Sequence, residues 1–196
     1  MGTLYMRGLG VEQNHNKTIE CFEAATECGD IESCIVLANI FRDGRENIEQ
    51  NSEKCFKYSL KAIELGDTSL YGSLADMYFE GRGTEQNFQK AFEYYSKAAE
   101  LGNAISHHSL GNMYVHGQYV EKDLKKAFEH YKKSADLGNA IAHYDVGCAY
   151  FKGIGIKQNF KKAFEYFSKA VKLGDKMAYF MLGEMYREGK GCKKSK

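Results

Sequence analysis

The feature that most constrains this chain is an internal repeat of about 36 residues, marked by two series of glycines. The first series consists of Gly8, Gly44, Gly81, Gly117, Gly153 and Gly189. The second series keeps the same period and consists of Gly29, Gly66, Gly102, Gly138 and Gly174. Two series that share one period identify structural repeats, and repeats of this length bury their apolar faces by stacking on their neighbours.

Each repeat carries the pattern of two amphipathic helices joined by glycine turns. The first helix is exemplified by residues 140–153, "AIAHYDVGCAYFKG", and an Asn or Asp before it, such as Asp67 or Asn139, can cap it. The second opens after a capping residue such as Asp123 and has apolar residues at i, i+3, i+4 and i+7. The sequence has no proline, which breaks helix interiors. We therefore expect an all-α fold in one domain, 1–196. Its repeats span 1–29, 30–66, 67–102, 103–138 and 139–174, and the first helix of a further repeat lies in 175–196.

Charge and hydropathy exclude two classes of partner. Lys and Arg number 27 against 26 Asp and Glu, a net charge of +1, whereas a groove for nucleic acid needs a clustered basic excess. The sequence has no apolar run long enough for a transmembrane helix. We expect neither nucleic-acid binding nor direct membrane insertion.

The motif within each period resembles the Sel-1-like repeat, a relative of the tetratricopeptide repeat. The matching residues of one repeat are Leu110, Gly111, Tyr114, Gly117, Lys126, Ala127, Tyr131, Leu137 and Gly138. Ala38 and Ala75 depart from the pattern, since they stand where Gly111 stands. The resemblance covers the whole chain and implies a right-handed α-solenoid of stacked antiparallel helix pairs.

The histidine-rich stretch "SHHSLGNMYVHG" could suggest a metal site. However, His107 and His143 occupy one repeat position, which holds Cys34, Tyr71 and Tyr179 elsewhere and is typical of packing residues. Equivalent residues of stacked helices lie about 10 Å apart, too far for joint ligation of one zinc ion. We predict no metal and no cofactor, with a metal role as the open alternative.

The six cysteines show no CxxC pair, and this disfavours a zinc ribbon. A secreted, cysteine-rich branch of the family joins neighbouring units by disulfides, but the partner position of Cys34 holds Thr26. A Cys28–Cys34 bridge is one alternative. Free thiols in a reducing, cytoplasmic compartment are the favoured interpretation, and a secreted or effector protein is the other.

By resemblance to tetratricopeptide arrays, the first helices line a concave binding face. Positions two and five residues from the central leucine of each first helix point away from the core. We expect aromatic anchors and hydrogen-bonding amides there to bind an extended peptide or a helix, and a merely solvated face is the alternative. The candidate residues are Asn39, Arg42, Asp76, Phe79, His108, Asn112, Tyr144, Cys148, Phe151, Phe180, Glu184 and Arg187. The aromatic members are expected to be exposed.

Two function classes follow from these patterns. The favoured one is a protein-interaction scaffold or adaptor without catalytic activity. The alternative, implied by the cysteine-rich branch, is a hydrolase of the β-lactamase or penicillin-binding type, for which no recurrent Ser/Lys or Ser/His pair is present. The first helices at the two ends lack a covering partner, so we also expect end-to-end self-association or a place within a longer array.

Overall fold

The computed structural model describes residues 2–8, 10, 12–44 and 48–193, and this part of the chain is helical with no β-strand. The helices are α1 (Gly2–Arg7), α2 (His15–Glu27), α3 (Ile31–Asp43), α4 (Ser52–Glu64), α5 (Tyr71–Glu80), α6 (Phe88–Glu100), α7 (Ala104–His116), α8 (Leu124–Asp136), α9 (Ala140–Lys152), α10 (Phe160–Lys172) and α11 (Lys176–Glu188). The predicted all-α architecture of repeated helix pairs is confirmed.

Capping side chains and glycines set the helix boundaries, as the repeat pattern predicts. The Asn103 side chain accepts a hydrogen bond from the Ser106 N–H at 2.9 Å, and α7 ends at Gly117, whose φ is 68°. The helix after Asp67 differs. There the carboxylate accepts from the Ser69 hydroxyl and the Leu70 N–H, and this turn delays the start of α5 to Tyr71.

The chain divides into two compact units, Met1–Tyr94 and Tyr95–Lys196, here called unit 1 and unit 2. In unit 1, α1 packs on α2 and α3 on α4, while α2 contacts α3 and α4 contacts α5. The core between α3 and α4 contains Leu37, Phe41 and Tyr58, with the Phe41 and Tyr58 rings stacked at 6.0 Å, and Met77 of α5 packs into the same cluster. Burial of such large side chains stabilises each pair by several kcal/mol.

Unit 2 repeats the arrangement with α7 on α8 and α9 on α10, and α8 contacts α9 while α10 contacts α11. Its core contains Val146, Phe167 and Met185, all with no exposed surface. Among the described residues, no helix is both long and apolar enough to cross a membrane.

The turns inside the repeats bring chain segments into close contact. At Gly155, φ is 68° and a Cβ atom would overlap the backbone of Leu124, at the start of the preceding repeat's second helix. Only glycine satisfies both conditions. Tyr119 occupies the same repeat position with φ 66°, in the left-handed region that is strained for a bulky side chain.

Candidate functional site

The candidate residues lie on first helices, namely α3 and α5 in unit 1 and α7, α9 and α11 in unit 2. In unit 2, rings from the second helices pack against the first helices of the same repeats. A Cβ atom on Gly111 would lie 2.6 Å from the Tyr131 ring, and one on Gly147 would lie 2.6 Å from Phe167. The glycine therefore allows the ring of the second helix to lie directly on the backbone of the first. The repeat motif includes this glycine, but the sequence pattern does not show which ring packs against it.

In unit 2 the Tyr131 ring begins a polar network that links two repeats. Its Oη donates to Asn112 Oδ1 at 2.6 Å, and Asn112 Nδ2 lies 3.5 Å from His108 Nδ1. The other ring nitrogen, Nε2, lies 2.8 Å from Asp145 Oδ2, so it carries the proton and donates to the carboxylate. Burial raises the pKa of the Tyr131 phenol, and the Asp145 charge adds to that effect. The network thus holds His108 and Asn112 in defined orientations.

Tyr144 and Cys148 lie on α9, at the repeat positions of His108 and Asn112. The Tyr144 ring packs on Phe167 with the ring centroids 5.7 Å apart. Burial raises the pKa of Tyr144 to about 12, and burial also raises the pKa of the Cys148 thiol. Cys148 is therefore protonated at neutral pH, and this argues against a role as nucleophile.

The aromatic candidates are less exposed than the sequence predicted. Phe151 packs edge-on against Phe160 at 5.3 Å, and Phe79 packs in the same way against Phe88 at 5.3 Å. With Tyr144 they are half-buried, because the second helix of each repeat supplies a ring that covers them. Only Phe180 matches the expectation among the four, with 66% of its surface exposed.

The two arginine candidates lie at the exposed ends of their helices. Arg187 forms a 2.5 Å ion pair with Glu184, another candidate, and Arg42 pairs with Asp43 at 2.8 Å. Exposed pairs of this kind contribute about 0–1 kcal/mol to stability. Both guanidinium groups therefore remain able to exchange partners.

The unit 1 candidates Asn39, Arg42 and Asp76 meet at a cavity of about 250 Å³ between α3, α4 and α5. The lining of the cavity is about equally polar and apolar, and Ala38 and Met77 belong to its apolar part. Its other lining residues are Gln50, Ser52, Cys55, Ser59, Leu70, Ser73 and Arg82. The sequence pattern placed the three candidates on one face but gave no sign that they surround a cavity.

The structure brings together two histidines that sequence reasoning treated separately. His107 Nδ1 lies 3.2 Å from His130 Nδ1, with the rings 5.4 Å apart. Burial lowers the pKa of His130 to about 4, helped by His107 and Lys133, and burial also lowers the pKa of His107. His143, at the repeat position of His107, is 8% exposed. Within the described residues, no group of three or more His, Cys, Asp or Glu side chains is placed to hold a metal ion.

Two of the cysteines lie beside candidate positions: Cys148 is itself a candidate, and Cys55 lines the unit 1 cavity. All six are free thiols in the structure, including Cys28 and Cys34, whose bridge the sequence left open. The Thr26 hydroxyl, at the position of the missing disulfide partner, donates to the Glu23 carbonyl oxygen at 2.8 Å. Burial raises the pKa of Cys34.

Comparisons with known proteins agree with the repeat pattern. The family model described as Sel1 repeat matches residues 1–30, 31–67, 71–103, 104–139, 140–175 and 176–196. A protective antigen of uropathogenic Escherichia coli with an SLR fold is 31% identical over 99% of the chain, with a TM-score of 0.87. A Sel1 repeat protein of Oxalobacter formigenes is 28% identical over 97% of the chain, with a TM-score of 0.80.

A third solved structure, cysteine rich protein B of Helicobacter pylori, is 35% identical over 66% of the chain, with a TM-score of 0.54. The chain spans 41% of the Escherichia coli protein, 75% of the Oxalobacter protein and 96% of the Helicobacter protein. The comparison with curated protein sequences gave no significant match.

Proposed function

Because this chain belongs to the Sel1 repeat family, whose members commonly serve as protein-interaction scaffolds, we propose that it binds a protein partner through the first helices of unit 2. We call this surface the unit 2 face. It comprises two repeat positions on α7, α9 and α11, occupied by His108, Asn112, Tyr144, Cys148, Phe180 and Glu184. The occupant that we propose is an extended peptide or a helix of the partner.

The observation that carries the proposal is the network of Tyr131, Asn112, His108 and Asp145. The His108 and Asp145 side chains are 19% and 28% exposed, so they are held in place yet still reachable. A peptide backbone offers both N–H donors and C=O acceptors, which amide, imidazole and carboxylate groups can satisfy. Groups that are already oriented lose little side-chain entropy on binding, and this favours affinity.

Phe180 also supports partner binding at the unit 2 face, because it offers an exposed apolar surface. It is 66% exposed on α11 and occupies the repeat position of His108 and Tyr144. Aromatic side chains of this kind supply a large share of binding energy when a partner covers them. The unit 2 face therefore offers one apolar anchor beside a row of oriented polar groups.

The hydrolase alternative receives no support from the described residues. The sequence has no recurrent Ser/Lys or Ser/His pair of the kind that this alternative requires. Desolvation also raises the pKa of the Cys34, Cys55 and Cys148 thiols, which disfavours a cysteine nucleophile. The Sel1 repeat fold is a typical non-enzymatic scaffold. We accordingly propose a binding role without catalysis, and a nitrocefin hydrolysis assay that shows turnover would contradict it.

The proposal is tested with a random-peptide phage library selected on the immobilised protein. Enriched peptides are synthesised, and their dissociation constants are measured by fluorescence anisotropy against the wild type and Phe180→Ala. We expect Phe180→Ala to weaken binding at least about tenfold. Tyr179→Ala is the matched control, since Tyr179 is the adjacent residue and is 61% exposed but occupies another face of α11.

The outcome decides between a binding face and a solvated surface. Enriched peptides that lose affinity with Phe180→Ala and His108→Ala, but not with Tyr179→Ala, support the unit 2 face. Equal affinity for all variants would contradict it. End-to-end association and a reducing compartment stay predictions, which light scattering across a concentration series and mass spectrometry under non-reducing conditions will test.

A further inference from the structure

In three described repeats, an aromatic side chain of the second helix covers the first helix. In the α3–α4 repeat, the second helix has no aromatic residue at this position. Phe22, Tyr131 and Phe167 share one position of the second helix and lie against Gly2, Gly111 and Gly147. In the α3–α4 repeat the corresponding two residues are Ser59 and Ala38. A serine is too short to reach across the first helix as these rings do.

The cavity of unit 1 lies at the position of this missing ring. Ser59, only 2% exposed, and Ala38, the residue in the glycine position, both line it. Its volume of about 250 Å³ is sufficient for one aromatic side chain. The exposed residues Gln50 and Ser52 belong to its lining, so the cavity is open to solvent and a ligand can enter it.

The hydrogen-bond acceptor that accompanies a tyrosine ring is still present. In the α7–α8 repeat, Asn112 Oδ1 accepts from the Tyr131 hydroxyl at 2.6 Å. In the α9–α10 repeat, where the ring is Phe167 and has no hydroxyl, the same first-helix position holds Cys148. The α3–α4 repeat keeps the asparagine, Asn39, without the ring, and Asn39 lines the cavity.

We propose that this cavity binds the phenol ring of a tyrosine side chain from a partner peptide. The ring fills the volume that Ser59 leaves, and its hydroxyl donates to the Asn39 side-chain oxygen, as Tyr131 does to Asn112. As a statement about a partner this inference rests on the proposed function. As a statement about the cavity it stands on the geometry of the α3–α4 repeat.

The charges around the cavity favour a neutral ligand over an anion. Arg42 and Arg82 line the cavity, but Arg42 pairs with Asp43 at 2.8 Å and Arg82 with Glu80 at 2.5 Å. Asp76 adds a negative charge to the lining. An acidic side chain would have to displace these carboxylates, whereas an uncharged phenol can donate to an acceptor and pack its ring against Ala38 and Met77.

The methyl group of Ala38 shifts the ring but does not exclude it. A ring placed as in the glycine repeats would approach this methyl group too closely, since the corresponding Cβ on Gly111 would lie 2.6 Å from Tyr131. A ligand that is not attached to α4 is free to lie farther from the methyl group. In the sequence of the next repeat, Ala75 and Tyr95 occupy the same two positions, so the repeat pattern itself combines an alanine with a tyrosine.

The test uses p-cresol, the side-chain analogue of tyrosine, titrated into the full chain and followed by amide and methyl NMR shifts. We expect saturable shifts at Ala38, Asn39 and Met77, which line the cavity. Toluene, which lacks the hydroxyl, should bind about five- to tenfold more weakly, as expected for one lost hydrogen bond. Asn39→Leu should reduce p-cresol binding to the toluene level, and Asn39→Asp, which keeps an oxygen acceptor, should restore it.

A filled cavity gives the decisive control. Ala38→Gly with Ser59→Tyr recreates the pattern of Gly111 and Tyr131 and should abolish p-cresol binding. Shifts that do not saturate, or that remain in this double variant, would overturn the proposal. The Asn39 variants and toluene give a second comparison if the double variant does not fold. If p-cresol does not bind, the cavity proposal is wrong, and the proposed binding at the unit 2 face is not affected. If p-cresol binds but the phage library yields no enriched peptide, the proposed function is wrong and the cavity proposal stands.

Discussion

The helix pairs α3–α4 and α7–α8 share one repeat pattern but have different surfaces. Both first helices carry an asparagine at the same position, Asn39 and Asn112. In α7–α8 the asparagine accepts from Tyr131, and the face is filled by a ring and a polar network. In α3–α4, where Ser59 replaces the tyrosine, the face opens into a cavity.

This difference shows how a repeat protein acquires a binding site without changing its fold. The core residues of the two first helices, Leu37 and Leu110, are both buried, so the repeat leucine packs inward in each helix pair. The two pairs differ at a position outside that core, which holds Tyr131 in one pair and Ser59 in the other. The tyrosine fills the surface of its pair, and the serine leaves a cavity.

Removal of a fully covered ring should have the largest effect. Phe167 has no exposed surface, so Phe167→Ala should lower the free energy of unfolding by about 3–5 kcal/mol through lost burial and a new cavity. Urea unfolding followed by far-UV circular dichroism measures the change. Phe180→Ala is the control and should change stability by less than about 0.5 kcal/mol, because Phe180 is 66% exposed. Equal losses for the two variants would contradict the assignment of the ring to the core.

Tyr131→Ser should convert the α7–α8 pair into a copy of the α3–α4 pair. We expect a loss of about 3 kcal/mol and a new p-cresol site at Asn112, since the ring and its hydroxyl are both removed. Tyr131→Phe should cost only about 1 kcal/mol, the value of one hydrogen bond. A Tyr131→Ser protein that unfolds as the wild type does and binds no p-cresol would show that the ring does not fill this face.

The histidine pair should make unit 2 sensitive to acid. The folded pKa of His130 is lowered from 6.5 to about 4, so the unfolded chain binds the proton first. Its stabilising contribution is therefore complete above pH 6.5 and is lost as the pH falls toward about 4, by on the order of 2 kcal/mol. His130→Tyr, the residue found at this position in α6 and α10, should remove that component from a series of unfolding curves. If the pH dependence of stability is unchanged in the variant, His130 is not the group whose protonation destabilises the protein in acid.

The smallest effect concerns the turn residue that replaces a glycine. Tyr119 has φ 66°, where a side chain is strained, so Tyr119→Gly should raise the free energy of unfolding by about 1 kcal/mol. Gly155→Ala, at the same position of the next repeat, should have the opposite sign because its Cβ would overlap Leu124. Thermal unfolding of the two variants measures both changes. A loss of stability in Tyr119→Gly would mean that the tyrosine contacts outweigh the strain.

The glycine period and the capping residues were sufficient to predict the helix pairs. Each is a local signal, since Gly117 ends α7 through its own φ and Asn103 caps α7 through a neighbouring N–H. The late start of α5 was missed because the Asp67 carboxylate also bonds Ser69, a competition that the repeat pattern does not show.

The candidate face was predicted only as a set of positions. Whether a residue such as Tyr144 is covered depends on Phe167, which comes from another helix and lies 23 positions later in the sequence. The cavity of unit 1 likewise exists because Ser59 has no aromatic ring to fill the space. One signal was present in the sequence, since Ser59 departs from the aromatic residues at its repeat position, but the pattern was interpreted from the first helices alone.

The central claim is that the absence of a ring at Ser59 leaves a site for a phenol ring. A crystal structure of the protein soaked with p-cresol tests it most directly. We expect the phenol ring in the cavity lined by Ala38 and Met77, with its hydroxyl within hydrogen-bond distance of Asn39 Oδ1. A cavity closed by its own side chains, or p-cresol bound elsewhere with this cavity empty, would refute the binding of a phenol at this position.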